Sequence, residues 1–137
     1  MRKFALALIG ALTVSAAALT GPVVQAKPRL TPEQRLDKLL EGRTAGKPQS
    51  CISSFDTRDL QVLDGVALVY RSGSTLYVNR PDNAEDLDSD DIMVTRTHGS
   101  QFCRLDMVNM VDRTGHFTTG FISLGDFVPY KRVAVRD

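Results

Sequence analysis

The residues best equipped for chemistry lie in one stretch, between Pro81 and Asp106. Arg96, His98, Gln101 and Arg104 combine two guanidinium forks, which match an anion with paired donors, an amide, and an imidazole that exchanges a proton near neutral pH. Gly99 allows a tight turn among them, so these four are the candidate ligand-binding set; capping of that turn and pairing with the acids just upstream is the plainer use of the same side chains. An enzyme built here would use His98 as acid or base, Arg96 and Arg104 to orient an anionic ligand, and Asp106 as a further acid. The run PDNAEDLDSDD, Pro81 to Asp91, gathers Asp82, Glu85, Asp86, Asp88, Asp90 and Asp91. Asp86, Asp88 and Asp90 stand at the first, third and fifth positions of a calcium loop and are the candidate metal ligands. The pattern then departs, with Asp91 at the position of the turn glycine and Thr97 at that of the closing bidentate glutamate. A solvated acidic connection between strands accounts for the same composition. His116 adds a second imidazole, but the HExxH spacing that fixes two ligands and a base on one helix is absent, so no catalytic residue and no cofactor is assigned.

The two cysteines, Cys51 and Cys103, are 52 positions apart and lack the close pairing of a zinc knuckle or redox motif. In an oxidising compartment they are expected to form a disulfide, which by chain entropy contributes about 4 kcal/mol for a loop of that length. The compartment is indicated by the start of the chain. Arg2 and Lys3 precede an apolar stretch from Phe4 to Leu19, and Val24 and Ala26 place small residues at the third and first positions before a cut. Residues 1–26 therefore read as a cleavable signal peptide, with cleavage between Ala26 and Lys27 and a periplasmic or secreted product. The stretch is at the short end of the roughly 17 to 25 residues that span a bilayer and is rich in alanine, so a retained anchor is the weaker reading and the mature form has no stable membrane span. Two of the 17 Lys and Arg residues lie in the leader and none of the 16 acids does, so removing it moves the formal charge from +1 to −1. A near-neutral domain without a clustered cationic tract argues against nucleic acid as a partner.

The remaining chain must position these residues with one small core. Thr31, Pro32, Glu33 and Gln34 start a helix, with a hydroxyl N-cap, proline in the first turn and Gln completing a capping box; Leu36, Leu39 and Leu40 give it one apolar side. GRTAGKPQS, Gly42 to Ser50, reads as a linker, and its Arg43 and Lys47, with Lys38, offer cations either to water or to a phosphate or acidic partner. From Cys51 the pattern becomes strand-like. Val66 to Arg71 and Thr75 to Arg80 form a hairpin across Ser72, Gly73 and Ser74. Further strands are expected at Ile92 to Arg96, Ser100 to Leu105 and Phe121 to Leu124. Asp106 to Val111 reads either as a brief helix or as a continuation of the strand carrying Cys103. A last strand-like piece falls at Phe127 and Val128, with Pro129 marking an edge or an end. In FTTGFISLGDF, Phe117 and Phe121 share one parity and Ile122 and Leu124 the other, and core packing is the expected role of these side chains. The expected fold is mainly β, a small antiparallel rolled sheet or barrel with a short N-terminal helix, divided as leader (1–26), helix and linker (27–50) and compact strand-rich domain (51–137).

CISSFD, VYRSGSTLYVNRP, DDIMVTRTHGSQFCRLD and GFISLGDFVPY together resemble a family of small exported proteobacterial proteins of uncharacterised function, over roughly Gly42 to Tyr130. Cys51, Tyr77, Asn79, Arg80, Cys103, Gly120, Gly125 and Phe127 carry the likeness. It implies an exported, cysteine-containing domain and transfers no catalytic residue. The expected function is a noncatalytic envelope-associated or secreted binding or structural protein, with a cationic protein or another envelope component as partner. A small-ligand enzyme, or a hydrolase inhibitor working through the 80–104 loops, is the alternative.

Overall fold

The computed structural model describes residues 28–57, 59–97 and 99–134. The expected leader, residues 1–26, and His98 lie outside them. Pro32–Leu40 forms α1. The Thr31 hydroxyl accepts from the Gln34 N–H at 3.3 Å while the Gln34 side-chain oxygen accepts from the Thr31 N–H at 2.9 Å, so the capping box closes as its sequence requires. Gly42, at a φ of 69°, turns the chain out of the helix.

Ten strands follow among the described residues: β1 (Arg43–Ala45), β2 (Cys51–Ser53), β3 (Asp59–Leu63), β4 (Ala67–Ser72), β5 (Thr75–Asn79), β6 (Ile92–Thr95), β7 (Gln101–Cys103), β8 (Met107–Val111), β9 (Thr118–Ser123) and β10 (Phe127–Arg132). All pair antiparallel, in a five-stranded sheet ordered β1-β10-β5-β4-β3, a ribbon β2-β7 and a three-stranded sheet β6-β8-β9. The fold is thus mainly β with one short helix, and none of the three sheets closes into a barrel among the described residues.

Both faces of the five-stranded sheet are covered. On one side Leu63, Ala67, Val69, Leu76 and Val78 pack on Leu36 of α1, which is buried, with Leu39 and Leu40 beside it. Burying one leucine of this kind contributes about 2 kcal/mol, which explains why a nine-residue helix, marginal alone, is held. On the other side Leu68, Tyr70 and Phe127 meet Ile52, Leu87, Val108, Met110, Ile122 and Leu124 from the two smaller sheets and their loops. The Tyr70 and Phe127 rings lie 5.8 Å apart at 57°, and burial pushes the Tyr70 phenol up from its ordinary pKa. Outside the core, the Arg80 guanidinium donates to both Glu33 carboxylate oxygens, at 3.1 and 3.3 Å, fastening α1 across the sheet end. That bond holds the Glu33 carboxyl below the usual carboxylate range.

Two segments differ from their sequence reading. GRTAGKPQS is an edge of the sheet: Arg43–Ala45 pairs with β10, the Gly46 N–H donates to the Pro129 carbonyl at 2.7 Å, and Gln49 exchanges both backbone bonds with Phe127 at 2.8 Å. Only Thr44 in it favours a strand, so pairing with β10 imposes the conformation. Pro129 lies inside a central strand rather than ending it. Because the two backbone groups of one antiparallel residue point the same way, the missing Pro129 donor faces Gly46, where the β1 ladder is already failing, and β5 loses nothing.

Gly125 and Asn79 join the loop before β10 to β5. A side chain at Gly125 would bring its Cβ to 2.5 Å from the Arg80 carbonyl, so only glycine fits. The space left by that missing side chain lets the buried Asn79 amide act as a strand rung, accepting from the Gly125 N–H at 3.0 Å and donating to its carbonyl at 2.7 Å.

Candidate binding surface

Cys51 and Cys103 form the expected disulfide, as direct cross-strand partners in β2 and β7 with Cα atoms 4.0 Å apart. The bond ties the early and late parts of the chain beneath the larger core. Immediately after it the chain turns sharply: the Asp106 N–H donates to the Cys103 carbonyl at 3.1 Å, and Leu105 takes a φ of 71° in this turn. The Asp106 carboxylate accepts from the Cys103 N–H at 2.7 Å, which occupies it as a turn lock. The stretch Asp106 to Val111 is therefore neither helix nor continuation; β7 and β8 belong to different sheets.

That turn separates the candidate ligand-binding residues. Arg104 faces a cleft of ≈ 480 Å³ with Arg80, Asp82, Asp126 and Tyr130, and its guanidinium is 3.8 Å from the Asp126 carboxylate. Arg96 lines a different depression with Asp106, Met107 and Asn109, on the other side of Leu105, and Gln101 is exposed on β7. His98 lies outside the described residues. In the acidic loop, Asp86 accepts from the Asn83 side chain at 3.0 Å, Asp88 from the Asp90 N–H at 2.8 Å, and Asp90 gives its carbonyl to Arg113 at 3.0 Å. Among the described residues no group of three or more His, Cys, Asp or Glu side chains is placed to hold a metal ion. The loop instead braces the three-stranded sheet. The Asn83 amide donates to the Phe121 carbonyl at 2.7 Å and accepts from the Ser123 N–H at 3.2 Å, capping the outer edge of β9, while the Thr119 hydroxyl donates to Asp91 at 2.5 Å.

The feature that sequence reasoning missed is the outer face of that sheet. The register aligns Ile92 with Val111, Val94 with Asn109 and Phe121, and Met107 with Ser123. Val108, Met110 and Ile122, of the opposite parity, are at most 1% exposed, whereas Val94, Met107 and Phe121 are 42, 47 and 55% exposed and Ile92 is exposed beside them. Phe121, expected in the core, is therefore on the surface, as is Phe117, whose ring lies over Gly115; Ile122 and Leu124 take the core positions. The solvent face of an antiparallel sheet is ordinarily polar, and these exposed apolar side chains, with Asn109 between Val94 and Phe121, depart from that rule. The signal was present in the sequence: IMV is apolar at both parities and MVNMV is so but for Asn109, where a half-solvated strand alternates. At one end of the face, Glu85, Asp86, Asp88, Asp91 and Asp112 line a shared depression. No family model, curated protein or solved structure matches this chain.

Proposed function

We propose that the protein is an exported, noncatalytic binding domain, akin to the small exported proteobacterial proteins it resembles, and that it takes a cationic protein partner on the outer face of β6-β8-β9. The observation that carries this reading is the row of exposed apolar side chains Ile92, Val94, Met107 and Phe121 on a sheet whose other face is core. The adjoining acids select the partner's chemistry. A segment with apolar residues flanked by Lys or Arg meets the patch and the acidic depression together, with the apolar contact supplying affinity and the charges supplying orientation and rate. The disulfide fits an oxidising destination and holds the support rigid.

A photo-crosslinking residue placed at Phe121 in the full chain, produced in its native host, tests this reading. The expected product joins position 121 to a basic segment of another protein, and disappears in Asp91→Lys or at high salt. A product joining two copies of this chain would overturn the choice of partner. Absence of any product above that from a crosslinker at the exposed Phe55 would overturn the surface itself.

A further inference from the structure

The near-zero charge of the mature chain conceals two poles. Glu85, Asp86, Asp88, Asp91 and Asp112 collect at one end of the three-stranded sheet, while a separate depression of ≈ 460 Å³ on the helix side of the five-stranded sheet is lined by Lys38, Arg43, Arg71 and Arg132. The topology forces this meeting. Arg43 on β1 and Arg132 on β10 are direct cross-strand partners, Arg71 stands two strands away beside Leu76, and the last turn of α1 brings Lys38 over the same end, with Leu39. Like charges directly opposite on a sheet are destabilising, and a core reason for them is absent, since Arg71 and Arg132 are both exposed.

The acids that face the group are few. Glu41 lines the depression, and Asp59 holds Arg71 through one contact of 3.2 Å at its Nε. Arg43 spends one nitrogen on the backbone, donating to the Ser74 carbonyl at 2.6 Å and the Tyr130 carbonyl at 3.3 Å, which fixes its guanidinium over the cleft. Partial burial and then the charges of Arg132 and Arg71 push the Arg43 pKa down, in keeping with the grouping of the three guanidinium side chains. The carbonyl end of α1 draws a cation such as Lys38 to its last turn, but it does not account for three arginines contributed by three different strands.

We infer that this cleft is an anion site for a phosphate group, gripped by Arg71 and Arg132 with Arg43 as the fixed member and Lys38 closing from the helix. Guanidinium forks offer paired donors to the edges of a tetrahedral oxyanion, and three converging forks match one with several charges better than a single carboxylate. The site is separate from the apolar face, so it stands or falls independently of the partner proposed there. Free phosphate compounds and the phosphate of a lipid headgroup share this chemistry, and the test has an arm for each.

The full chain, in the processed form its host yields, is titrated with inorganic pyrophosphate while backbone amide resonances are followed. Saturable shifts are expected at Arg43, Leu76 and Arg132, with half-saturation below about 1 mM. Arg132→Gln weakens binding at least about tenfold, the consequence of losing a charge-assisted pair, whereas Arg132→Lys recovers only part because it restores the charge without the fork. A parallel sedimentation assay uses phosphatidylcholine vesicles with and without phosphatidic acid. Pelleting only with phosphatidic acid, abolished by Arg71→Gln, assigns the lipid source; pyrophosphate binding without pelleting assigns a free phosphate compound. Failure of both probes, non-saturating shifts, or shifts unchanged by Arg132→Gln would each overturn the site.

Discussion

The two larger sheets are built by the same rules and end differently. The five-stranded sheet has α1 on one face and the smaller sheets on the other, so β4 is buried at four successive residues from Ala67 to Tyr70. The three-stranded sheet is covered on one face only, yet its outer face carries Ile92, Val94, Met107 and Phe121 among the polar Asn109 and Ser123. In the first, two-sided hydrophobicity is explained by packing within the chain. In the second, half of it is left over, and it is on that remainder that a binding role rests. Leu36 and Phe121 are the test pair: Leu36 is buried against the face of one sheet, whereas Phe121 is 55% exposed on the uncovered face of the other.

Breaking the common support should have the largest effect. Replacing Cys51 and Cys103 together with serine is expected to lower the unfolding free energy by about 4 kcal/mol in denaturant titration, and both sheets should lose protection in hydrogen exchange, because the β2-β7 ribbon underlies their shared core. Uncovering the five-stranded sheet comes next. Leu36→Ala should cost about 3 kcal/mol, with amides of β3 and β4 exchanging sooner and those of β8 and β9 unaffected. Asn79→Ala leaves the Gly125 backbone groups without a buried partner and should cost about 2 kcal/mol by the same measurement.

A smaller effect separates α1 from the sheet by pH. Glu33 is held below its unfolded pKa by Arg80, so its contribution is complete above the unfolded carboxylate value and disappears as pH falls through the folded one. Helix docking, followed by the Leu36 methyl resonances, should loosen on that acid limb, and Glu33→Gln should remove the dependence. Smallest of all is Phe121→Ser, expected to change unfolding free energy by less than about 0.5 kcal/mol, as an exposed substitution does. Equality of the Phe121 and Leu36 costs would erase the distinction between the two coverings.

How far these features were legible depended on whether local or distant contacts decide them. The capping box and the β4-β5 hairpin follow from nearby residue types and could be read in advance, and the pairing of Cys51 with Cys103 could be read because the chain holds only those two cysteines. The strand at Arg43–Ala45 was hidden because its cause is β10, nearly ninety positions on by the register. The central position of Pro129 was hidden likewise, since only the partner's register shows which way its missing donor faces. For Phe121, alternation separated the two parities correctly, but core packing was expected of both, and only Ile122 and Leu124 are in the core. Among the candidate ligand residues, sequence proximity placed Arg96 beside Arg104, but the turn at Leu105 sends them to different depressions.

The most direct test uses two methionines three positions apart on one strand that face opposite ways. Met107 is on the outer face of β8, and Met110 on the same strand is buried. Hydroxyl-radical oxidation should mark Met107 strongly in the purified protein and weakly in the protein within an unfractionated extract of its native host, with Met110 low in both. Equal oxidation of Met107 in the two settings would contradict the assignment of this face to a partner.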